Sequence, residues 1–221
     1  MIIEGIDYIT SDNVIIFGPR YNEPLSSELN IQALVHCKQI IFANFELDKA
    51  LFKAYENTDW YKLNLISSSS TVSKFNQSLG NFLNNCTLLT ILAFGFMFNQ
   101  PLSNSLDNCT SLTILIFGCK FNQPLGNSLD NCTSLTYISL NGFNQSLGNS
   151  LDNCTKLTHI SLNDFNQSLD NSLDNCTELT HIKFGREFNC PLANSLNNCT
   201  SLTNIEFNYG FNRPLESSLD N

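Results

Sequence analysis

The sequence predicts a parallel β-solenoid with one short parallel β-strand per coil of 22–23 residues, a convex side of turns and 3₁₀ turns, and little α-helix. Three observations carry this. The dipeptide Phe-Asn, or its direct equivalent, recurs from Phe75 through Phe98, Phe121, Phe143, Phe165, Phe188 and Phe211, at spacings of 23, 23, 22, 22, 23 and 23 residues. A fixed short period of this kind marks a stacked array. Each unit ends in a run such as LTILIF (112–117), LTYISL (135–140) or LTHIKF (179–184), whose Thr, Ile and Phe content and terminal alternation describe one short strand. The remainder of each unit is broken by Pro101, Pro124 or Pro191 and by Asn, Ser, Gly and Asp, residues that favour turns and local side-chain hydrogen bonds over a long helix.

Taken in chain order, residues 1–20 read as an N-terminal cap whose strand is VIIF (14–17). Residues 21–74 read as two degenerate repeats. Tyr21 opens the first, with its strand at KQIIF (38–42), and Phe45 opens the second, with its strand at YKLNL (61–65) and a loop insertion at Ser67–Ser70. Residues 75–210 are six regular repeats of the form F-N-Q-[PS]-L-x-N-S-L-x-N-C-T-x-L-T-x-[IL]-x-[FL], with Phe82 and Cys190 as departures, and 211–221 is a terminal half repeat without a strand. About nine strands follow, or roughly 40 Å of stack at ~4.8 Å per strand. One coil offers roughly seven inward apolar side chains worth about 1.5–3 kcal/mol each, while backbone ordering costs about 1–2 kcal/mol per residue. A coil therefore cannot stand alone, and stability has to come from stacking on neighbours.

Composition excludes several functions. Only 14% of the 221 residues are charged and the formal net charge is −9. There is no basic cluster to neutralise the phosphates of a nucleic acid or an anionic membrane surface. The opening MIIEGIDYITSDNVIIFG carries Glu4 and Asp7 and no basic region before an apolar run, so neither a signal peptide nor a transmembrane helix is expected. That places the chain in the cytoplasm, or in the host cytoplasm or virion if it is viral, with its nine cysteines reduced. On the same reasoning the recurrent Asn-Cys-Thr at Asn85, Asn108, Asn131, Asn153, Asn175 and Asn198 reflects the repeat rather than glycosylation.

The units L-T-x-[IL]-x-[FL], each followed by an Asn-bearing turn, resemble leucine-rich repeats, and the recurrent F-N-Q-P-L resembles the FNIP repeat of amoebae and giant viruses over about residues 21–221. The Cys-x-x-Leu before the strand, as in Cys132-Thr-Ser-Leu135, is also similar to BspA-like leucine-rich repeats. The resemblance implies a leucine-rich-repeat-type solenoid that binds a protein partner across a curved sheet. FNIP repeats often follow an F-box, which would imply substrate recognition for a ubiquitin ligase. Only about twenty residues precede the first unit here, too few for that three-helix module.

Four columns of chemically interesting residues recur. Cys86, Cys109, Cys132, Cys154, Cys176 and Cys199 appear once per coil. Leu34 takes the cysteine position in the first unit and Cys37 a leucine position, so these thiols read as buried apolar filler rather than as a metal or redox site. The Asn after each repeat Phe reads as an asparagine ladder satisfying backbone groups of the next coil. Asp107, Asp130, Asp152 and Asp174 are expected on the convex side as solvated turn residues rather than calcium ligands. His159 and His181 share one strand position in successive coils, about 5 Å apart, yet two ligands are too few for a zinc site.

No nucleophile–base–orienter set, phosphate-cradling loop or paired carboxylate stands out, so no catalytic residue, cofactor or metal is expected and the chain reads as a non-enzyme. The concave face should carry the function. Its residues run from mostly apolar (Ile16, Ile41, Ile91, Ala93, Ile114, Ile116, interrupted by Lys62 and Asn64) through Tyr137 and Ser139 to polar (His159, Ser161, His181, Lys183, Asn204, Glu206). An exposed apolar patch marks a contact surface, unless a loop such as 66–74 folds over it. A protein partner bound there through Ile91, Ile114, Ile116, Tyr137, His159, His181, Lys183 and Glu206 is the first expectation. Self-assembly, as a homodimer through the C-terminal end or as a coat layer, is the second.

Overall fold

A computed structural model describes residues 13–25, 34–44, 72–215 and 218, together with the backbone of 8–10. They form one nine-stranded sheet whose strands follow one another in chain order. The strands are β1 (Tyr8–Thr10), β2 (Val14–Phe17), β3 (Gln39–Phe42), β4 (Ile91–Ala93), β5 (Ile114–Phe117), β6 (Tyr137–Leu140), β7 (His159–Leu162), β8 (His181–Phe184) and β9 (Asn204–Glu206). From β2 onward every pairing is parallel and in register, so that Ile114, Tyr137, His159, His181 and Asn204 stand in one row across the sheet. Each strand is short, as expected, with three or four residues, and the convex side is built of turns. The fold is the expected leucine-rich-repeat-type solenoid.

The N-terminal end differs from expectation in two ways. The cap is a hairpin, with β1 antiparallel to β2 and Tyr8 opposite Phe17, a strand that the sequence reading did not separate from VIIF. In addition, β3 pairs directly with β4, Gln39 opposite Ile91. Phe75 stacks on Phe42 at 4.0 Å, and the Asn76 amide donates to Asn22 Oδ1 at 2.9 Å. The repeat opened by Phe75 therefore rests on the one opened by Tyr21. A strand has two hydrogen-bonding edges, so no further strand lies between β3 and β4. The strand expected at 61–65 in the second degenerate repeat lies outside the described residues.

Each regular coil closes on seven inward side chains. In the coil opened by Phe98 these are Phe98, Leu102, Leu106, Cys109, Leu112, Leu115 and Phe117, all at 0–1% exposure. Repeat phenylalanines stack from coil to coil, as Phe98 does on Phe121 at 6.0 Å, and strand-end phenylalanines insert beside them, Phe117 lying 3.9 Å from Phe121. Both 22-residue units end their strands in Leu140 and Leu162 instead of Phe. There the turn is one residue shorter, and the Asn141 side-chain amide donates to the Phe117 carbonyl at 3.1 Å.

Two hydrogen-bonded rows tie the coils together. The backbone N–H of Asn99, Asn122, Asn144, Asn166, Asn189 and Asn212 each donates to the Oδ1 of the equivalent Asn one coil earlier, at 2.8–2.9 Å. The Thr before each strand forms the second row. Thr113 and Ile114 donate both backbone N–H groups to the Thr90 carbonyl, at 2.9 and 3.0 Å, and the Thr113 hydroxyl donates to the same oxygen at 2.9 Å. Backbone polar groups between stacked coils are thereby satisfied.

One further position repeats without a repeated residue type. Five residues after the repeat Phe, the chain passes through left-handed backbone at Gly80, Ser103, Gly126, Gly148, Asp170 and Ala193, with φ between +44° and +51°. Glycine takes this conformation freely, whereas other residues pay for the approach of Cβ to the backbone.

Candidate functional site

The six cysteines of the regular repeats are free thiols buried at 0% exposure. Burial pushes Cys132, Cys154 and Cys176 up to about 12 and Cys86 and Cys199 up to about 11, well above the range of a reactive thiolate. Cys37 occupies the first strand-leucine position and is likewise buried. Asp107 and Asp130 are exposed on the convex side, and Asp152 and Asp174 are half-buried there. Among the described residues no group of three or more His, Cys, Asp or Glu is placed to hold a metal ion. No helix among them is long and apolar enough to cross a membrane.

The concave sheet divides into two halves. Toward the N-terminus Val14, Ile16, Ile41, Ala43, Ala93 and Ile116 form a second hydrophobic cluster, separate from the interior, with Ile114 and Tyr137 packed at its border. Ile16, Ile41 and Ala93 are 0% exposed, Ile116 2% and Ile91 7%. This overturns the expectation of an exposed apolar patch. Ile91 and Ile116 project from the sheet side opposite the interior, as alternation requires, but they are buried and present no contact surface. The loop at 66–74 considered as a cover falls largely outside the described residues.

The C-terminal half stays accessible. Ile114, Tyr137, His159, Ser161, His181 and Asn204 are half-buried, and Lys183 and Glu206 are exposed. Ser139, between them, is buried and bonds Asn141 Oδ1 at 3.2 Å. Register sets two rows. In the first, Tyr137, His159, His181 and Asn204 lie side by side. The His159 and His181 rings stack at 4.3 Å with planes 6° apart, and Tyr137 tilts by 32° against His159 at 6.3 Å. In the second row, two residues further along the strands, Lys183 Nζ meets Glu206 Oε2 at 2.8 Å. The Lys183 ammonium, by hydrogen bond and charge, holds Glu206 below the usual carboxylate range.

Of the residues singled out in the sequence, six are therefore brought to one accessible surface: Ile114, Tyr137, His159, His181, Lys183 and Glu206. Sequence reasoning missed Thr158 and Thr180, whose hydroxyls lie 2.9 Å from His159 Nδ1 and His181 Nδ1. The signal was present in the Thr that precedes each strand. Parallel rings also decide the metal question. Imidazole lone pairs lie in the ring plane, so two rings 6° from parallel do not converge on one ion.

No protein-family model matches the sequence, and no curated protein is similar to it. Solved structures show the fold. An internalin from Listeria monocytogenes superposes with a TM-score of 0.59 at 19% identity, covering 92% of this chain and 54% of its own. Internalin C2 from the same bacterium gives 0.56 at 14% identity, covering 89% of this chain and 74% of its own. CroV588, a circular leucine-rich-repeat protein, gives 0.46 at 21% identity, covering 94% of this chain and 32% of its own. The chain thus spans about half the length of the first of these. What the two internalins share with it is the solenoid fold.

Proposed function

We propose that this array is a non-catalytic protein-binding module that holds its partner on the C-terminal half of the concave sheet. The observation that carries the reading is the row Tyr137, His159, His181 and Asn204, which leaves an aromatic ring and polar side chains half-exposed on a rigid sheet. Tyrosine anchors and adaptable polar groups on rigid scaffolds are the chemistry of protein recognition. The leucine-rich-repeat-type fold supports it as an analogy of architecture. The recurrent F-N-Q-P-L supports an FNIP-like reading of the repeats, with BspA-like repeats as the alternative.

A photo-crosslinking amino acid placed at Tyr137 or Asn204 tests this in lysate of the source or host cell, with the same group at Asp130 as the convex control. Cross-linking to one defined protein from the concave positions alone, abolished by Tyr137→Ala with the probe at Asn204, is the expected result. Equal cross-linking from Asp130, or none from the concave positions, overturns the assignment.

A further inference from the structure

β9 is the last strand of the sheet, and its outer edge has no partner strand among the described residues. The side chains along that edge are uncovered as well. Leu202, Ile205 and Phe207 are half-buried, whereas their counterparts one coil earlier, Leu179, Ile182 and Phe184, are buried. A groove of about 530 Å³ runs along the edge between Ile205, Phe207 and Leu215, so residues 208–215 leave it open.

The hydrogen bonds of the array fix which backbone groups point outward. Thr203 and Asn204 turn their N–H groups back to the Thr180 carbonyl, both at 3.0 Å. Successive residues of a strand address alternate edges, so Ile205 directs its N–H and its C=O away from β8. Earlier coils identify the flanking groups. The Thr90 carbonyl accepts from Thr113 and Ile114 of the following coil, and the Phe94 N–H donates to the Ile116 carbonyl of that coil at 2.8 Å. Thr203 and Phe207 hold the places of Thr90 and Phe94. The groups facing outward are therefore Thr203 C=O, Ile205 N–H and C=O, and Phe207 N–H.

Set against a second copy running antiparallel, this pattern is its own complement. With the two Ile205 residues opposite each other, they exchange both their hydrogen bonds, and each Thr203 carbonyl receives the Phe207 N–H of the other copy. The same register puts Asn204 opposite Glu206 on the concave face, an amide beside a carboxylate. Glu206 is already paired with Lys183 at 2.8 Å, so no bare like charges meet. A two-fold axis perpendicular to the sheet also lays interior beside interior, which joins the two half-buried apolar layers. Head-to-tail stacking lacks this fit. At the far end of the sheet β1 runs antiparallel to β2, so the Asn and Thr rows, which bond a parallel neighbour in register, find no continuation there.

We propose that the outer edge of β9 is occupied by β9 of a second copy of this chain, antiparallel about a two-fold axis between the two Ile205 residues, so that the two concave sheets form one surface. On that surface the row Tyr137, His159, His181 and Asn204 continues into Glu206 and Lys183 of the second copy. The pairing goes beyond the binding-module reading and does not depend on it.

Introduced cysteines test the register in the full chain, with Cys119→Ser and Cys190→Ser as background and circular dichroism to confirm the fold. Chains carrying Asn204→Cys, mixed with chains carrying Glu206→Cys, should form a disulfide dimer under mild oxidation, because these opposed Cα atoms lie about 4.5 Å apart. Either variant alone should not, since like positions then sit on the diagonal at about 7–8 Å, beyond the reach of a disulfide. The expected result is about tenfold more dimer from the mixture than from either variant alone. Equal yields, or no mixed disulfide, overturn the register. A monomer mass at high micromolar concentration overturns the pairing and assigns the edge to the chain's own remaining residues. A mass that keeps rising with concentration overturns the closed pair in favour of head-to-tail stacking. Capture of a foreign protein by the photo-probe at Tyr137 reads the binding module separately: it survives failure of the disulfide, and its own failure leaves the β9 pair standing.

Discussion

The left-handed position separates two opposed effects of a single methyl group. At Gly126, with φ at +51°, a Cβ would meet nothing within 4 Å, so Gly126→Ala creates no clash and its cost is conformational. Left-handed backbone costs an L-residue roughly 1–2 kcal/mol, and the reduced freedom of the unfolded chain returns about 0.4–1 kcal/mol. The net expectation is destabilisation by about 0.5–1 kcal/mol. Ala193, at φ +46° in the equivalent place, runs the same cycle backwards, and Ala193→Gly should stabilise by about 0.5–1 kcal/mol. Ala193 is the clean site, because Asp170 also accepts a hydrogen bond from Ser168. Gly185→Ala is the contrast. Its Cβ would fall 1.5 Å from the Asn163 carbonyl oxygen, so the same chemical change there should cost several times more through displaced backbone. Urea unfolding followed by circular dichroism reads all three. Stabilisation by Gly126→Ala, or destabilisation by Ala193→Gly, would refute the claim that conformation alone governs this position.

Three other outcomes follow from the packing. Thiol titration in native buffer should label the exposed Cys119 before any of the six repeat cysteines, which should react only in denaturant; native labelling of most of them would contradict their burial. Leu135→Ala, at 0% exposure between stacked layers, should cost about 2–5 kcal/mol, while Asp130→Ala on the exposed convex side should stay within about 0.5 kcal/mol, and equal costs would reverse the inward and outward assignments. At the C-terminal end Leu202, Ile205 and Phe207 are only half-buried and the outer edge of β9 has no partner strand among the described residues. An open edge of that kind invites pairing, so this chain should scatter light as a dimer that Ile205→Lys dissociates, and a 24.8 kDa mass at high micromolar concentration would refute it.

Periodicity alone determined the strand positions, the inward leucines and cysteines and the identity of the concave residues. Each coil meets an almost identical neighbour, so a residue's environment repeats with its position in the unit. VIIF, KQIIF and LTHIKF could be placed on this basis without knowing any long-range contact. Where the period degrades, the sequence lost its hold. Phe45 and the run YKLNL match the pattern loosely, and only the pairing of Gln39 with Ile91 shows that no further strand lies between β3 and β4. The accessible surface was equally out of reach, because alternation says that Ile91 and Ile116 leave the interior but not whether anything lies over them. Their exposures of 7% and 2% are tertiary facts. The partners of the His159 and His181 rings depend on proximity too. The Thr158 hydroxyl meets both a ring nitrogen of His159 and the carbonyl of the preceding coil, a three-way contact between residues 22 positions apart that only the stacked structure brings together.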